Sequence, residues 1–138
     1  AKSVAPLSAG GYSIPGSDMI YTISVTNQGD GSVDTDTIVL IDAIPAQTTF
    51  YNGDHDGIGP STDRVGFTET STTLSFDPAN DVRFSNSVTK PTSLAACSYT
   101  PTAGYDPAVT YICFNPKGQM AGGDPDPNFN LSFRARID

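Results

Sequence analysis

The chain has no tryptophan, one histidine (His55), one glutamate (Glu69), two cysteines and only seven Lys and Arg residues against fifteen acidic ones. Each scarcity removes a class of function. A net charge of -8 without a basic cluster argues against nucleic acid and anionic membranes as partners, because both are bound by cations that displace counterions. The apolar run at residues 38–41 is far short of the roughly 20 residues a membrane span requires, and there is no lipidation or wall-sorting motif. A Ser-His-Asp or Cys-His arrangement would have to use His55, which sits in a loop of Gly and Asp. A glycosidase carboxylate pair would rely on aspartate, with no tryptophan to stack a sugar. The expectation is therefore a protein that is not an enzyme and requires no cofactor.

What is present is turn chemistry and alternation. Thirteen Gly and eleven Pro, with abundant Ser, Thr and Asp, punctuate short segments rich in β-branched and aromatic residues, and no helix of three turns is expected. Strands are predicted at residues 2–7, 19–26, 35–44, 48–51, 65–68, 73–76, 82–85, 96–100, 109–114 and 129–137. The clearest are residues 19–26, where Met19, Tyr21, Ile23 and Val25 share a face, and residues 129–137, where Phe129, Leu131, Phe133, Ala135 and Ile137 point inward. Residues 35–44 read as buried on both sides near their middle. The spacing predicts an all-β antiparallel sandwich of about 8–9 strands in one domain, residues 14–138, preceded by an N-terminal strand and hinge, residues 1–13.

Cys97 and Cys113 each lie eight residues from Tyr105, within a Pro-Gly-Pro turn segment. Two strands folding back about Tyr105 would set them directly opposite one another, predicting a cross-strand disulfide rather than two buried thiols. For a loop near 15 residues such a bond is worth about 3 kcal/mol. It also fits an oxidising compartment, and the chain opens at Ala1 without an initiator Met, as a mature exported protein would.

The run Ile14-Pro-Gly, Tyr21-Thr-Ile-Ser-Val-Thr-Asn27, a Gly-rich turn, Ile38-Val-Leu-Ile-Asp-Ala-Ile-Pro45 and Thr48-Thr-Phe50 resembles the conserved repeat of bacterial and archaeal surface proteins, a family of unknown function. The tail, Tyr105-Asp-Pro-Ala-Val-Thr, Asn115-Pro-Lys-Gly and residues 129–137, is similar to single-domain exported members. The resemblance implies an immunoglobulin-like sandwich, secreted and extracellular at the cell surface, and implies no activity. Most members are tandem arrays, whereas this chain is expected to be a solitary module.

Two site hypotheses remain. Asn52, Asp54, Asp56, Gly57 and Asp63 occupy positions 1, 3, 5, 6 and 12 of an EF-hand-like loop, a pattern suited to Ca²⁺, although position 9 is Pro60 and position 12 is Asp rather than Glu. The alternative is a solvated Asx-turn loop. Residues Ser3, Val4, Ala5, Pro6 and Leu7 form a strand in front of a Gly-Pro hinge that could be donated to another copy or pack at home. Lys2 and Asn130 also resemble the partners of an intramolecular isopeptide bond, with Glu69 or Asp42 as the acid, against the alternative of a solvated lysine. Two functions follow: a structural subunit polymerising with copies of itself into a surface filament or layer, or a calcium-stabilised adhesion module for a surface glycan or protein.

Overall fold

A computed structural model describes residues 1–8 and 11–138. Among the described residues nine strands form, in the order β1 Lys2–Pro6, β2 Asp18–Thr26, β3 Leu40–Ala43, β4 Thr48–Asn52, β5 Val65–Thr70, β6 Val82–Ser85, β7 Gly104–Asp106, β8 Tyr111–Phe114 and β9 Asn128–Ile137. The single helical turn among the described residues, a 3₁₀ turn at Leu94–Ala96, is capped by the Ser93 hydroxyl, and the fold is all-β.

Two antiparallel sheets enclose the core. The larger runs β1-β2-β9-β4-β7, with β5 also on β9, and the smaller runs β3-β8-β6. β9 is the spine of the larger sheet: β2 covers one side of it from Asp18 opposite Arg136 to Thr26 opposite Asn128. On its other side β4 pairs with Thr48 opposite Ile137, and β5 pairs with Val65 opposite Phe133. β4 and β5 thus run along β9 as one interrupted strand, and the loop between them leaves the sheet at the interruption. Phe129, Leu131, Phe133 and Ala135 are fully buried, as their alternation predicts, and Tyr21, Ile23 and Val25 of β2 pack beside them. The Phe50 and Phe84 rings, 5.1 Å apart, join the two sheets across the core.

Several predicted strands are absent or shortened for identifiable reasons. Residues 35–44 yield only the four residues of β3. Asp36 takes a left-handed conformation (φ 62°), and the Asn115 amide donates to the carbonyls of Asp36 (3.2 Å) and Ile38 (2.7 Å), holding that stretch outside the ladder. Val39 is exposed, so the segment is not buried on both faces. Residues 73–76 form a single bridge, Ser75 with Lys117, because Ser71 and Thr73 both have positive φ and break the extension.

The disulfide forms, Cys97 to Cys113 at 2.02 Å, but the hairpin expected to carry it does not. β8 pairs with β6 and β3, and Tyr105 belongs to β7, which pairs with β4 in the other sheet. Cys113 alternates with the inward Ile112 and Phe114, so it faces away from the core, and Cys97 lies in the segment following the 3₁₀ turn. Both are buried, so the bond clamps that segment over the outer face of the smaller sheet. The turn-like stretch around β7 is organised by Asp106, which is 3 % exposed. Its carboxylate accepts from the N–H of Thr102 (2.8 Å), the Tyr99 hydroxyl (3.0 Å) and the N–H of Ala108 (2.9 Å).

Candidate functional site

β1 pairs with β2 at the edge of the larger sheet, from Lys2 opposite Ile23 to Pro6 opposite Met19. The N–H of Ser24 donates to the carbonyl of Ala1 (2.7 Å), and the N–H of Leu7 donates to the carbonyl of Asp18 (2.9 Å). Antiparallel alternation between those two points turns the main chain of Ser3 and Ala5 toward β2 and that of Lys2, Val4 and Pro6 outward. Pro6 therefore places its missing N–H on the free edge. This is the one orientation in which it removes nothing from its own sheet while blunting addition of a further strand.

The strand is held almost wholly by its backbone. Lys2, Ser3, Val4 and Ala5 are all exposed, and Pro6 is only half-buried. Val4 remains 53 % exposed, and in the connection to β2 the side chains of Tyr12 and Ile14 are 78 % and 56 % exposed. The connection is long: residues 8–17 join Leu7 to Asp18, which are themselves hydrogen-bonded. Its last part is anchored, with the N–H of Ser17 on the carbonyl of Ile14 (3.0 Å) and the N–H of Gly16 on the carbonyl of Ile137 (2.7 Å).

Lys2 makes the directed side-chain contacts of this strand. Its ammonium pairs with the Asp42 carboxylate on β3, donates to the carbonyl of Ala43 (3.2 Å), and lies 5.6 Å and 5.5 Å from the ring centres of Tyr21 and Phe133. Asn130 is on the opposite face of the sheet, where its Oδ1 accepts from the Ser24 hydroxyl (2.6 Å), so the suggested Lys2–Asn130 pair is not brought together.

The acidic loop is only partly convergent. Asn52 turns away, donating to the carbonyls of Pro101 (3.2 Å) and Thr102 (2.9 Å). Asp54 accepts from the N–H groups of Asp56 (3.2 Å) and Gly57 (3.0 Å), Asp56 accepts from Ile58 (2.9 Å), and Asp63 accepts from the Ser61 hydroxyl (2.7 Å). The Ile58 N–H is the main reason the Asp56 carboxyl is held below the usual carboxylate range. What does come together is Asp54, His55 and Asp56, whose ligand atoms all lie within 4.8 Å of one another. His55 Nδ1 is 2.9 Å from the carbonyl of Asp63, and its ring rests against β5 at Gly66. A Cβ at that glycine would stand 2.4 Å from both His55 Nε2 and Ser132 Oγ, so only glycine admits the ring there. Above it opens a hollow of about 550 Å³ lined by His55, Asp56, Asp63, Asn130 and Ser132.

A second polar group on the outer face escaped the sequence reading. Arg134 pairs with Asp18 at 2.6 Å, the Tyr105 hydroxyl donates to the same carboxylate at 2.8 Å, and the Arg134 and Arg136 guanidinium groups each lie 4.1 Å from a ring centre, of Tyr51 and Tyr105 respectively. Burial, and then the Asp18 carboxylate, push the Tyr105 phenol above its ordinary value. The outward alternation of β9 was the available signal, but which tyrosines it meets depends on β7. No helix among the described residues is long and apolar enough to cross a membrane. No family model, no curated protein and no solved structure matches this chain.

Proposed function

We propose that the chain is an extracellular structural subunit that self-assembles into a surface filament or layer by exchanging β1 between copies, the donated strand taking the β2 edge of the next copy. The supporting observation is the imbalance in β1. It closes a sheet edge with backbone bonds yet buries none of its side chains fully, and apolar residues in it and in its connection stand in water. A strand so attached is exchanged with little loss from the core. Because donor and acceptor are different surfaces of one chain, the contact is heterologous and propagates. The disulfide agrees with an oxidising compartment, and the resemblance of residues 14–50 to immunoglobulin-like surface modules supports the location. The reading assigns no catalysis.

The test is electron microscopy and light scattering on the chain with and without residues 1–7. The intact chain is expected to form high-mass polymer and the shortened one to stay a monomer. An intact chain that remains monomeric at every concentration, or a shortened one that polymerises equally, overturns the reading.

The juxtaposition of Asp54, His55 and Asp56 favours a second reading, the calcium-stabilised adhesion module presenting this loop to a glycan or protein. It predicts a monomer whose melting temperature rises with Ca²⁺ and falls back on chelation.

A further inference from the structure

We infer that Lys2 and Asp42 form the clasp that joins the donated strand of one copy to the smaller sheet of the next, and so make a second copy of this chain the preferred acceptor. The inference rests on the strand-exchange reading above. Lys2 lies on the core-facing side of β1, opposite Ile23, at the open flank between the two sheets. Its partners are Tyr21 on β2, Phe133 on β9, and Asp42 with the Ala43 carbonyl on β3. None of these elements travels with β1. When the strand is exchanged, every side-chain contact of Lys2 is made with the acceptor, and the pair that closes the flank within one copy becomes a bond between two.

Charge supports the same assignment. Each copy carries a net charge of -8, so copies repel in general, but residues 1–17 contain Lys2 and no acidic residue. The segment offered to a neighbour is thus its cationic part, and the flank that receives it presents Asp42. The backbone of β1 pairs with any open edge of suitable length, whereas the ammonium between two aromatic rings and a carboxylate tells one edge from another. A strand that satisfies the β2 ladder but lacks a cation at this position leaves Asp42 without its partner.

The experiment uses the full chain in two charge-reversed forms, Lys2→Glu and Asp42→Lys. In each form alone, the like charges weaken the closed monomer and the exchanged junction alike, so the protein concentration needed for assembly is expected to stay within about threefold of the parent's. Mixed in equal amounts, each form offers the other a complementary junction at both ends. The mixture is expected to assemble with the two forms alternating, read by native mass spectrometry from their mass difference. The milder Lys2→Met and Asp42→Asn forms, with thermal unfolding of every form, guard against a variant that fails to fold; each alone is expected to assemble as the parent does.

Random ordering of the two forms in the mixed polymer overturns the clasp and leaves strand exchange standing. A mixture in which each form assembles only with itself also overturns it. If the parent itself never assembles, both the exchange reading and the clasp fall.

Discussion

Replacing Asp106 separates a structural carboxylate from an ordinary surface aspartate. One oxygen accepts from the Thr102 N–H at 2.8 Å, the Tyr99 hydroxyl at 3.0 Å and the Thr102 hydroxyl at 3.2 Å; the other accepts from the Ala108 N–H at 2.9 Å. Asp106→Asn preserves the shape, and its best orientation keeps the oxygen on the first three donors and turns the NH₂ toward the Ala108 N–H. One bond is lost, two donors face each other, and the remaining bonds lose their charge; we expect a destabilisation of about 2 kcal/mol. Asp106→Ala removes all four bonds, and with the exposed Thr102 and Ala108 rescued by water the expected loss is about 4 kcal/mol. For a domain of this size these correspond to falls in melting temperature of roughly 8 and 16 °C.

The pH dependence follows with a definite sign. Burial raises the Asp106 pKa, but the donors from Thr102, Ala108 and Tyr99 outweigh it and hold the carboxyl below its ordinary value. A depressed folded-state pKa contributes stability that is fully present above the unfolded value of about 3.9 and is lost as pH falls through the lower, folded value. The stability gap between the parent and Asp106→Asn should therefore be widest near about pH 7 and narrow below about pH 4. Calorimetric or denaturant unfolding across that window measures it. An Asn variant within about 0.5 kcal/mol of the parent near neutrality, or a gap that does not change on acidification, would refute the reasoning.

Two further outcomes test the packing. Removing the disulfide by Cys97→Ser with Cys113→Ser is expected to destabilise by about 3 kcal/mol, with amide exchange rising first in residues 91–100, which the bond clamps onto β8. Gly66→Ala should displace His55 from β5, because the new methyl would collide with its Nε2; since only side-chain ends must swing aside, the loss should stay within about 0.5 kcal/mol while the His55 imidazole spectrum changes by NMR.

Legibility in the sequence tracked how far each element depends on its own residues. β2 and β9 are long and have one buried face each, so their period of two is a direct imprint of the sheet and could be read position by position. β7 could not, because its three residues, a left-handed Gly104 (φ 81°), Tyr105 and Asp106, followed by Pro107, have the composition of a turn and become a strand only by pairing with the distant β4. The cysteines illustrate the intermediate case. Their pairing was legible from spacing and composition, but the geometry assumed for it was not, since the segment between them crosses to the other sheet instead of turning back. In the acidic loop, spacing brought out Asp54 and Asp56 but did not disclose that Asn52 is claimed by the carbonyls of Pro101 and Thr102, 49 and 50 residues away.

Whether β1 stays at home is decided by its connection more than by its contacts, because an exchanged strand makes the same contacts in the neighbouring copy. At home, a covalent link of this length gives the strand an effective concentration on the order of millimolar at β2, so exchange in dilute solution must overcome that advantage. Lengthening the link changes little, since doubling a loop alters closure by only about 0.6 kcal/mol. Shortening it acts strongly, because Gly16 and Ser17 are pinned to Ile137 of β9 and Ser17 closes a turn on Ile14, so only residues 8–13 are left to span the gap. Deleting residues 9–13 leaves a single residue, and so a reach of at most roughly 7 Å, between the Cα atoms of Leu7 and Ile14. That variant is expected to convert from monomer to exchanged dimers and polymers at micromolar concentration, seen as an increase in mass by light scattering, while β2 keeps the amide protection of a paired strand. A shortened chain that stays monomeric and exposes the β2 amides would mean that the freed strand finds no acceptor in a second copy, and strand exchange would have to be abandoned.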